Sequence, residues 1–229
     1  MLMDNVQRFT APDANEEAGI QWQIETAPVA YDRALAFMEA RARTIRERGH
    51  DEMVWLLEHP PVYTAGTGAE LKDLINPKFP VYHTGRGGKF TYHGPGQRIG
   101  YVMLDLQKRG PDLKRFVFDL EEWIIRSLFK FNVLGQRREG RVGIWVDMEP
   151  YGHPKGTEAK IAAIGVRVKK WVTFHGVSIN INPELGHYDG IVPCGISEYG
   201  ITSLEQLGRN VTREEFDTAM QESWYEIFG

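Results

Sequence analysis

Cysteine is almost missing from this chain: one occurs among 229 residues. A single thiol excludes an intramolecular disulfide and any multi-cysteine metal site, and a free thiol suits a reducing compartment. An excess of basic charge is also missing. Lys and Arg number 27 against 31 Asp and Glu, a formal charge of −4, which argues against general nucleic-acid binding. No apolar run is long enough to span a membrane, and the start, Met1–Thr10, is too short and polar for a signal peptide. The expectation is a soluble cytoplasmic protein. No G-x-x-x-x-G-K-[ST] phosphate loop occurs, nor a G-x-G-x-x-G between a strand and a helix. Internal repeats, low-complexity tracts and linkers are absent as well.

What is present fits one large domain with a sizeable core. Residues 1–19 are polar and read as a loose arm; 20–229 form the domain. Ile20–Ile24 alternates like a strand. Pro28 opens a helix whose stripe is Tyr31, Leu35, Met38, Ala42 and Ile45, ended by Gly49. Glu52–Glu58 is a buried strand, and Val62–Gly66 is extended. Ala69–Ile75 reads as a short helix or turn. Val81–Thr84 and Arg98–Leu106 read as strands on either side of a glycine-rich segment. Asp112 caps a long helix with the stripe Leu113, Phe116, Val117, Leu120, Trp123, Ile124, Ser127, Leu128 and Phe131. Arg141–Asp147 is a strand. Ala159–Lys170 and Val172–Asn182 form a hairpin without an Asn-Gly turn, which leaves its register open. Ser203–Leu207 reads as a short helix, and Thr212 with Glu215 makes a capping box for a final helix. Strands often follow one another directly, so the expected class is α/β (α+β): a mixed sheet flanked by helices.

Two residues stand out for chemistry. Strict alternation puts Lys160 on the same side of its strand as Ala162, Ile164, Val166 and Val168. A lysine there either reaches water at the strand end or is kept for chemistry. Cys194 sits between Pro193 and Gly195 after a polar loop, whereas a core cysteine more often sits inside a helix or strand. A cation beside a thiol lowers its pKa from about 8.5 and makes it a nucleophile. The segment R-G-G-K-F-T-Y-H-G-P-G-Q (86–97) combines turn-forming glycines with polar tips from Arg86, Lys89, Thr91, Tyr92 and His93. That mixture suits a binding wall, although glycines alone fit a plain surface loop and His93 reads equally well as a core histidine.

Five segments in this order resemble the octanoyltransferases, the lipoyl(octanoyl) transferases of lipoic acid biosynthesis: E-H-P-P-V-Y-T-A-G (58–66), R-G-G-K-F-T-Y-H-G-P-G-Q (86–97), K-I-A-A-I-G-V-R-V (160–168), T-F-H-G-V-S-I-N-I-N (173–182) and I-V-P-C-G-I (191–196). The resemblance runs from about Trp55 to Leu207. It implies the fold of lipoate- and biotin-protein ligase catalytic domains. It implies transfer of an octanoyl group from acyl carrier protein to a lysine of a lipoyl domain, those of the 2-oxoacid dehydrogenases and of the glycine cleavage H protein. It matches Cys194 to the nucleophile and Lys160 to the lysine that activates it. The acyl pocket would be lined by Arg86, Gly87, Gly88, Lys89, Phe90, Thr91, Tyr92, His93, Ala163, Ile164, Gly165, Gly176, Val177 and Ser178. No metal or cofactor is expected, since the donor arrives on the carrier's phosphopantetheine, and a monomer is expected. Trp171 stands where many members have a smaller turn residue.

The chemistry implied runs in two steps through a thioester on the enzyme. Thiol-for-thiol exchange is near balance, so no activating nucleotide is needed to form an acyl-enzyme. Both protein partners are expected to be acidic, which would require a local basic patch; Arg137, Arg138, Arg141, Lys155, Lys169 and Lys170 are the candidates. Three other activities remain open: an ATP-dependent lipoate- or biotin-type ligase, a thioesterase using the same nucleophile with water, and a non-catalytic acyl-binding protein.

Overall fold

Each of the three α-helices among the described residues begins or ends where a capping residue supplies a missing hydrogen bond. Helix α1 (Tyr31–Arg48) ends at Gly49, left-handed at φ 64°, whose N–H bonds the Thr44 carbonyl. Helix α2 (Leu113–Phe129) starts at Asp112, whose carboxylate accepts from the Arg115 N–H. Helix α3 (Arg213–Phe228) starts with the reciprocal Thr212–Glu215 capping box. The α1 stripe buries Ala34 beside Tyr31, Met38, Ala42 and Ile45, while Leu35 is only partly covered. Leu113, the first residue of α2, lies outside the buried stripe and is 42% exposed.

The computed structural model describes residues 20–192 and 199–229; the N-terminal arm and Cys194 lie outside them. The strands are β1 (Ile20–Ile24), β2 (Glu52–Leu57), β3 (Val62–Ala65), β4 (Val81–His83), β5 (Phe90–His93), β6 (Gln97–Met103), β7 (Ile144–Asp147), β8 (Glu158–Lys169), β9 (Val172–Asn180) and β10 (Gly200–Ile201). The main sheet runs β1-β2-β6-β9-β8-β10, with β7 on β8, and a small sheet runs β4-β3-β5. β1 and β10 pair parallel with their neighbours, and β2, β6, β9, β8 and β7 pair antiparallel. The architecture is therefore the mixed sheet flanked by helices. A third of the glycine-rich segment is strand β5, because Phe90–His93 pairs with Val62–Ala65. Residues 204–208 form turns and not a helix. Among the described residues no helix is long and apolar enough to cross a membrane.

One face of the main sheet packs on α1 through Met53, Trp55, Leu57, Ile99, Tyr101 and Phe174. The other packs on α2 and α3 through Val54, Leu56, Val102, Ile161, Val177, Ile179 and Trp224. A buried, bidentate ion pair joins α3 to the sheet: Arg98 Nε and Nη2 donate to the two Asp217 oxygens at 2.6 and 2.7 Å. The small sheet has its own core of Tyr63, Phe90, Tyr92, Tyr188 and Ile191.

Two breaks in strand alternation decide which side chains reach which face of the main sheet. In β8 the partner of Ile144 is Ala162 and the partner of Trp145 is Lys160, so Ile161 is an extra, bulged residue. Ala159 and Ile161 before the break, and Ala162 after it, all join the α2/α3 core. Lys160 is thereby turned to the opposite face, away from Ala162, Ile164, Val166 and Val168. This reverses the expectation from strict alternation, which cannot register an inserted residue. The second break is His175, at φ 62° in the middle of β9. Alternation with Val177 and Ile179 would send it to the α2/α3 side. Instead its ring lies against Phe174 (5.2 Å between centroids) and Tyr101 (6.1 Å), both on the α1 side. The β8–β9 turn, Lys170-Trp171, has both residues left-handed (φ 51° and 66°) and joins the Lys169–Val172 pair. That is the two-residue geometry that Asn-Gly usually supplies.

Candidate active site

The α1 face of the main sheet is hollow along β8 and β9 because the side chains there are small. Ala163 pairs with Ser178 and Gly165 with Gly176. On the next strand, Ile99 and Tyr101 pair with Ser178 and Gly176. The small sheet and the 86–89 turn roof this trough. Gly87 fixes the roof to the floor, since its N–H donates to the Val166 carbonyl at 3.0 Å. Gly165 is needed for that closeness: a Cβ there would lie 2.9 Å from Arg86 Cδ and 3.2 Å from the Gly87 carbonyl. The cavity between floor and roof measures about 50 Å³.

Of the predicted pocket residues, Arg86, Gly88, Lys89, Phe90, Thr91, His93, Ala163, Ile164, Gly165, Gly176, Val177 and Ser178 line this one cavity. Gly87 and Tyr92 are not among its lining residues. Gly87 acts through its backbone bond. Tyr92 alternates outward into the small-sheet core, with its hydroxyl 2.8 Å from His187 Nδ1. Arg86, buried at 7% exposure, works as a clamp. Its Nη1 donates to the Gly87 and Lys89 carbonyls at 2.9 and 3.1 Å, and its Nη2 donates to the Thr64 carbonyl and hydroxyl at 2.8 and 2.6 Å.

A cleft lined by Lys160, Ala162, Asn180, Tyr188 and Ile201 continues the trough, sharing Thr91 and Ala163 with it. Lys160 is 5% exposed. Its Nζ donates to the Val142 carbonyl at 3.0 Å and lies 4.9 Å from the Trp145 ring centroid. Gly143, at φ 118°, leaves room for it: a Cβ there would stand 2.9 Å from Lys160 Cε. Tyr188, six residues before Cys194, lines the Lys160 cleft, and Ile201, seven residues after it, pairs with Lys160 across β10. The main chain thus brackets the Cys194 segment with residues that sit at Lys160.

Sequence reasoning missed the other polar groups at the trough: Tyr31, Tyr101 and His175 line it, and His59 stands behind it. His59 Nδ1–H donates to the Val29 carbonyl, so its Nε2 accepts from the Tyr101 hydroxyl, both at 2.6 Å. Gln97 Nε2 donates to Asn180, Tyr188 and the Tyr92 carbonyl, so its Oε1 accepts from His93 Nδ1–H at 2.6 Å. The resulting network runs from the trough to the Lys160 cleft. Burial keeps all three histidines neutral. It lowers His59 to about 4 and His93 to about 3, the latter helped by the His59 charge. His175 falls to about 3, with Arg86 and Arg167 adding to burial. Burial also raises Tyr31 to about 12. His175 Nε2 is buried without a hydrogen-bond partner. A non-glycine residue held left-handed costs about 1–3 kcal/mol, and an unpartnered buried nitrogen costs about as much again. The signal that could have found it is T-F-H-G: a glycine following a histidine inside a strand is a sign of local irregularity.

The anticipated basic patch is largely neutralised. Arg138 and Arg141 both pair with Glu158, and Arg137 pairs with Glu121 and Glu122. Among the described residues, no group of three or more His, Cys, Asp or Glu is placed to hold a metal ion.

The chain and its fold have counterparts among known proteins. Residues 30–224 match the lipoyl protein ligase A/B catalytic domain. The octanoyltransferase of Hyphomonas neptunium is 57% identical over 213 residues, covering 91% of this chain and 90% of that protein. That of Chelativorans sp. is 56% identical over 214 residues, covering 92% and 87%. The solved bi-partite lipoate protein ligase of Thermoplasma acidophilum superposes with a TM-score of 0.70 at 13% identity, covering 91% of this chain and 84% of its own, a likeness of fold. With a catalytic-domain match over most of its length and relatives of this identity, the chain belongs to the lipoyl protein ligase A/B family, among its octanoyltransferases.

Proposed function

We propose that this protein moves an octanoyl group from the phosphopantetheine thioester of acyl carrier protein to a lysine of a lipoyl domain, through a thioester on Cys194. The observation that carries the proposal is the trough itself. It is a groove floored by Ala163, Gly165, Gly176 and Ser178 whose one end opens on a nearly buried lysine. Small residues suit a hydrocarbon chain, and a lysine beside its head suits proton transfer at a carbonyl.

The Cys194 thiolate attacks the thioester carbonyl, forming a new C–S bond. The carrier's pantetheine sulfur leaves and takes a proton from the Lys160 ammonium. The acceptor lysine's amine then attacks the acyl-cysteine, Lys160 as a neutral amine removes its proton, and the Cys194 sulfur leaves. Atoms and protons balance over the two halves. Because the donor is already activated and an amide is the product, neither nucleotide nor metal enters. The acceptors in view are the lipoyl domains of 2-oxoacid dehydrogenases and the glycine cleavage H protein.

The experiment is intact mass spectrometry in nucleotide-free, metal-free buffer. Mixed with octanoyl-carrier protein alone, the enzyme should gain one octanoyl mass that hydroxylamine removes. Added lipoyl domain should discharge it and gain an amide-linked octanoyl group. An absolute need for ATP and magnesium would instead make the protein a ligase; discharge to water without acceptor would make it a thioesterase.

Gly143 offers a milder perturbation. Gly143→Ala forces a side chain onto Lys160 Cε and onto the Ala162 carbonyl, 2.7 Å from the new Cβ. A displacement of that size should slow transfer roughly tenfold, about 1.4 kcal/mol in the barrier. The drop should fall on kcat, with KM for the carrier little changed, in steady-state assays.

A further inference from the structure

We propose that His175 is the end stop of the acyl trough and sets the longest chain the enzyme accepts; this rests on the octanoyl-transfer function proposed for the same trough. Counting along the sheet from the Lys160 end, the first rung is Ile99, Ser178 and Ala163, and the second is Tyr101, Gly176 and Gly165. Both are hollow on the β8–β9 side. The third rung pairs Arg167 with Phe174. It is filled: Phe174 is 1% exposed, and the Arg167 guanidinium lies 5.4 Å from its ring centroid.

His175 closes the step between the second and third rungs. Its left-handed backbone rotates the imidazole out of the α2/α3 core and sets it on Phe174, with an interplanar angle of 25°. The edge of the ring meets Tyr101 at 83°. The buried Nε2 finds no partner among the described residues, so the ring is not turned to satisfy a hydrogen bond of that nitrogen; the residue's backbone N–H donates to Met38 Sδ at 3.3 Å. Its visible consequence is to put a ring in the step between the hollow second rung and the filled third one.

The dimensions agree with the proposed substrate. From Lys160 to Gly165 the strand advances roughly 13–16 Å at about 3.3 Å per residue. An extended octanoyl chain measures roughly 9 Å, taking about 1.3 Å per carbon from bonds of about 1.5 Å at tetrahedral angles. An octanoyl chain whose carbonyl stands roughly 4–7 Å along the strand from Lys160 would end at the Gly165–Gly176 rung. Each further pair of carbons must displace the His175 ring, which Phe174 and Tyr101 hold.

The test measures kcat/KM for hexanoyl-, octanoyl-, decanoyl- and dodecanoyl-carrier proteins with a lipoyl-domain acceptor. His175→Gly is the variant of choice, because glycine adopts φ 62° without strain. His175→Asn is the second, because Asn also tolerates the left-handed region and is shorter than His. The wild type should peak at octanoyl. His175→Gly should raise the dodecanoyl-to-octanoyl ratio by at least about tenfold, the scale on which a pocket discriminates chains by methylene count. His175→Asn should move the decanoyl ratio in the same direction. Unchanged ratios in a variant that still transfers octanoyl would overturn the end stop and leave the transferase function intact. A wild type that transfers none of the four chains would overturn both.

Discussion

Removing either member of the proposed Lys160–Cys194 pair is expected to cut octanoyl transfer by roughly 100- to 10,000-fold, the range for losing a positioned acid–base group. The two losses should look different. Cys194→Ser should fail to gain the octanoyl mass at all, since an alcohol without a strong base is a far weaker nucleophile than a thiolate. Lys160→Met keeps an unbranched stem against Trp145 but removes the nitrogen that bonds the Val142 carbonyl. Its cysteine should still be acylated, slowly. Cys194 is the sole thiol in the chain, so the rate of iodoacetamide alkylation against pH reports that residue alone. In the wild type the midpoint should lie below the ordinary thiol value of about 8.5, and Lys160→Met should return it toward that value. An unchanged midpoint would separate the lysine from the thiol. Near wild-type transfer by Cys194→Ser would eliminate the acyl-cysteine, leaving direct attack of the acceptor lysine on the carrier thioester.

Much of this arrangement is legible in the amino-acid sequence. Caps and stripes place α1, α2 and α3, because a helix is a local object whose signals lie within a few residues of its ends. The glycine-rich segment and the small residues at 163–165 and 176–178 read as a pocket, and they do line one cavity. What escapes is the side of the sheet on which particular residues act. Period-two alternation assigns Lys160 to the wrong face, since the extra residue Ile161 in β8 shows only in the register with β7. His175 escapes for a related reason. A single left-handed residue moves a side chain across the sheet without altering the composition of its strand. Tyr31 and Tyr101 are distant in sequence from the glycine motif and join it only through packing of α1 and β6. One break stands in the cleft that adjoins the trough and the other in the trough's own lining. Natural strands depart from their local rule most often at sites of function.

Acid should unfold this protein unusually early, between about pH 6 and 4.5, because three histidines at the site are held neutral. His59, His93 and His175 titrate at about 4, 3 and 3 in the folded chain, against about 6.5 when unfolded. Above pH 6.5 both states are neutral and stability is complete. As pH falls below 6.5 the unfolded chain takes up protons that the folded chain cannot, and each histidine costs up to about 1.4 kcal/mol per pH unit. The loss levels off only near the folded values. Three such groups imply a slope approaching 4 kcal/mol per unit, and roughly 6 kcal/mol by pH 5, against a total stability of about 5–15 kcal/mol for a typical domain. The carboxylates cannot produce this window. Glu122 and Glu158, held below the usual range, retain their contribution above about pH 4.5 and lose it only as pH falls further. Urea midpoints measured from pH 8 to 5 should therefore be level down to about 6.5 and then drop steeply. His175→Asn breaks no hydrogen bond at Nε2, and should reduce the slope by about a third while leaving its position on the pH axis unchanged. A midpoint that stays level to pH 5 would mean that at least two of these imidazoles accept protons in place, with water reaching the trough that the packing of Tyr31, Tyr101 and Phe174 otherwise closes.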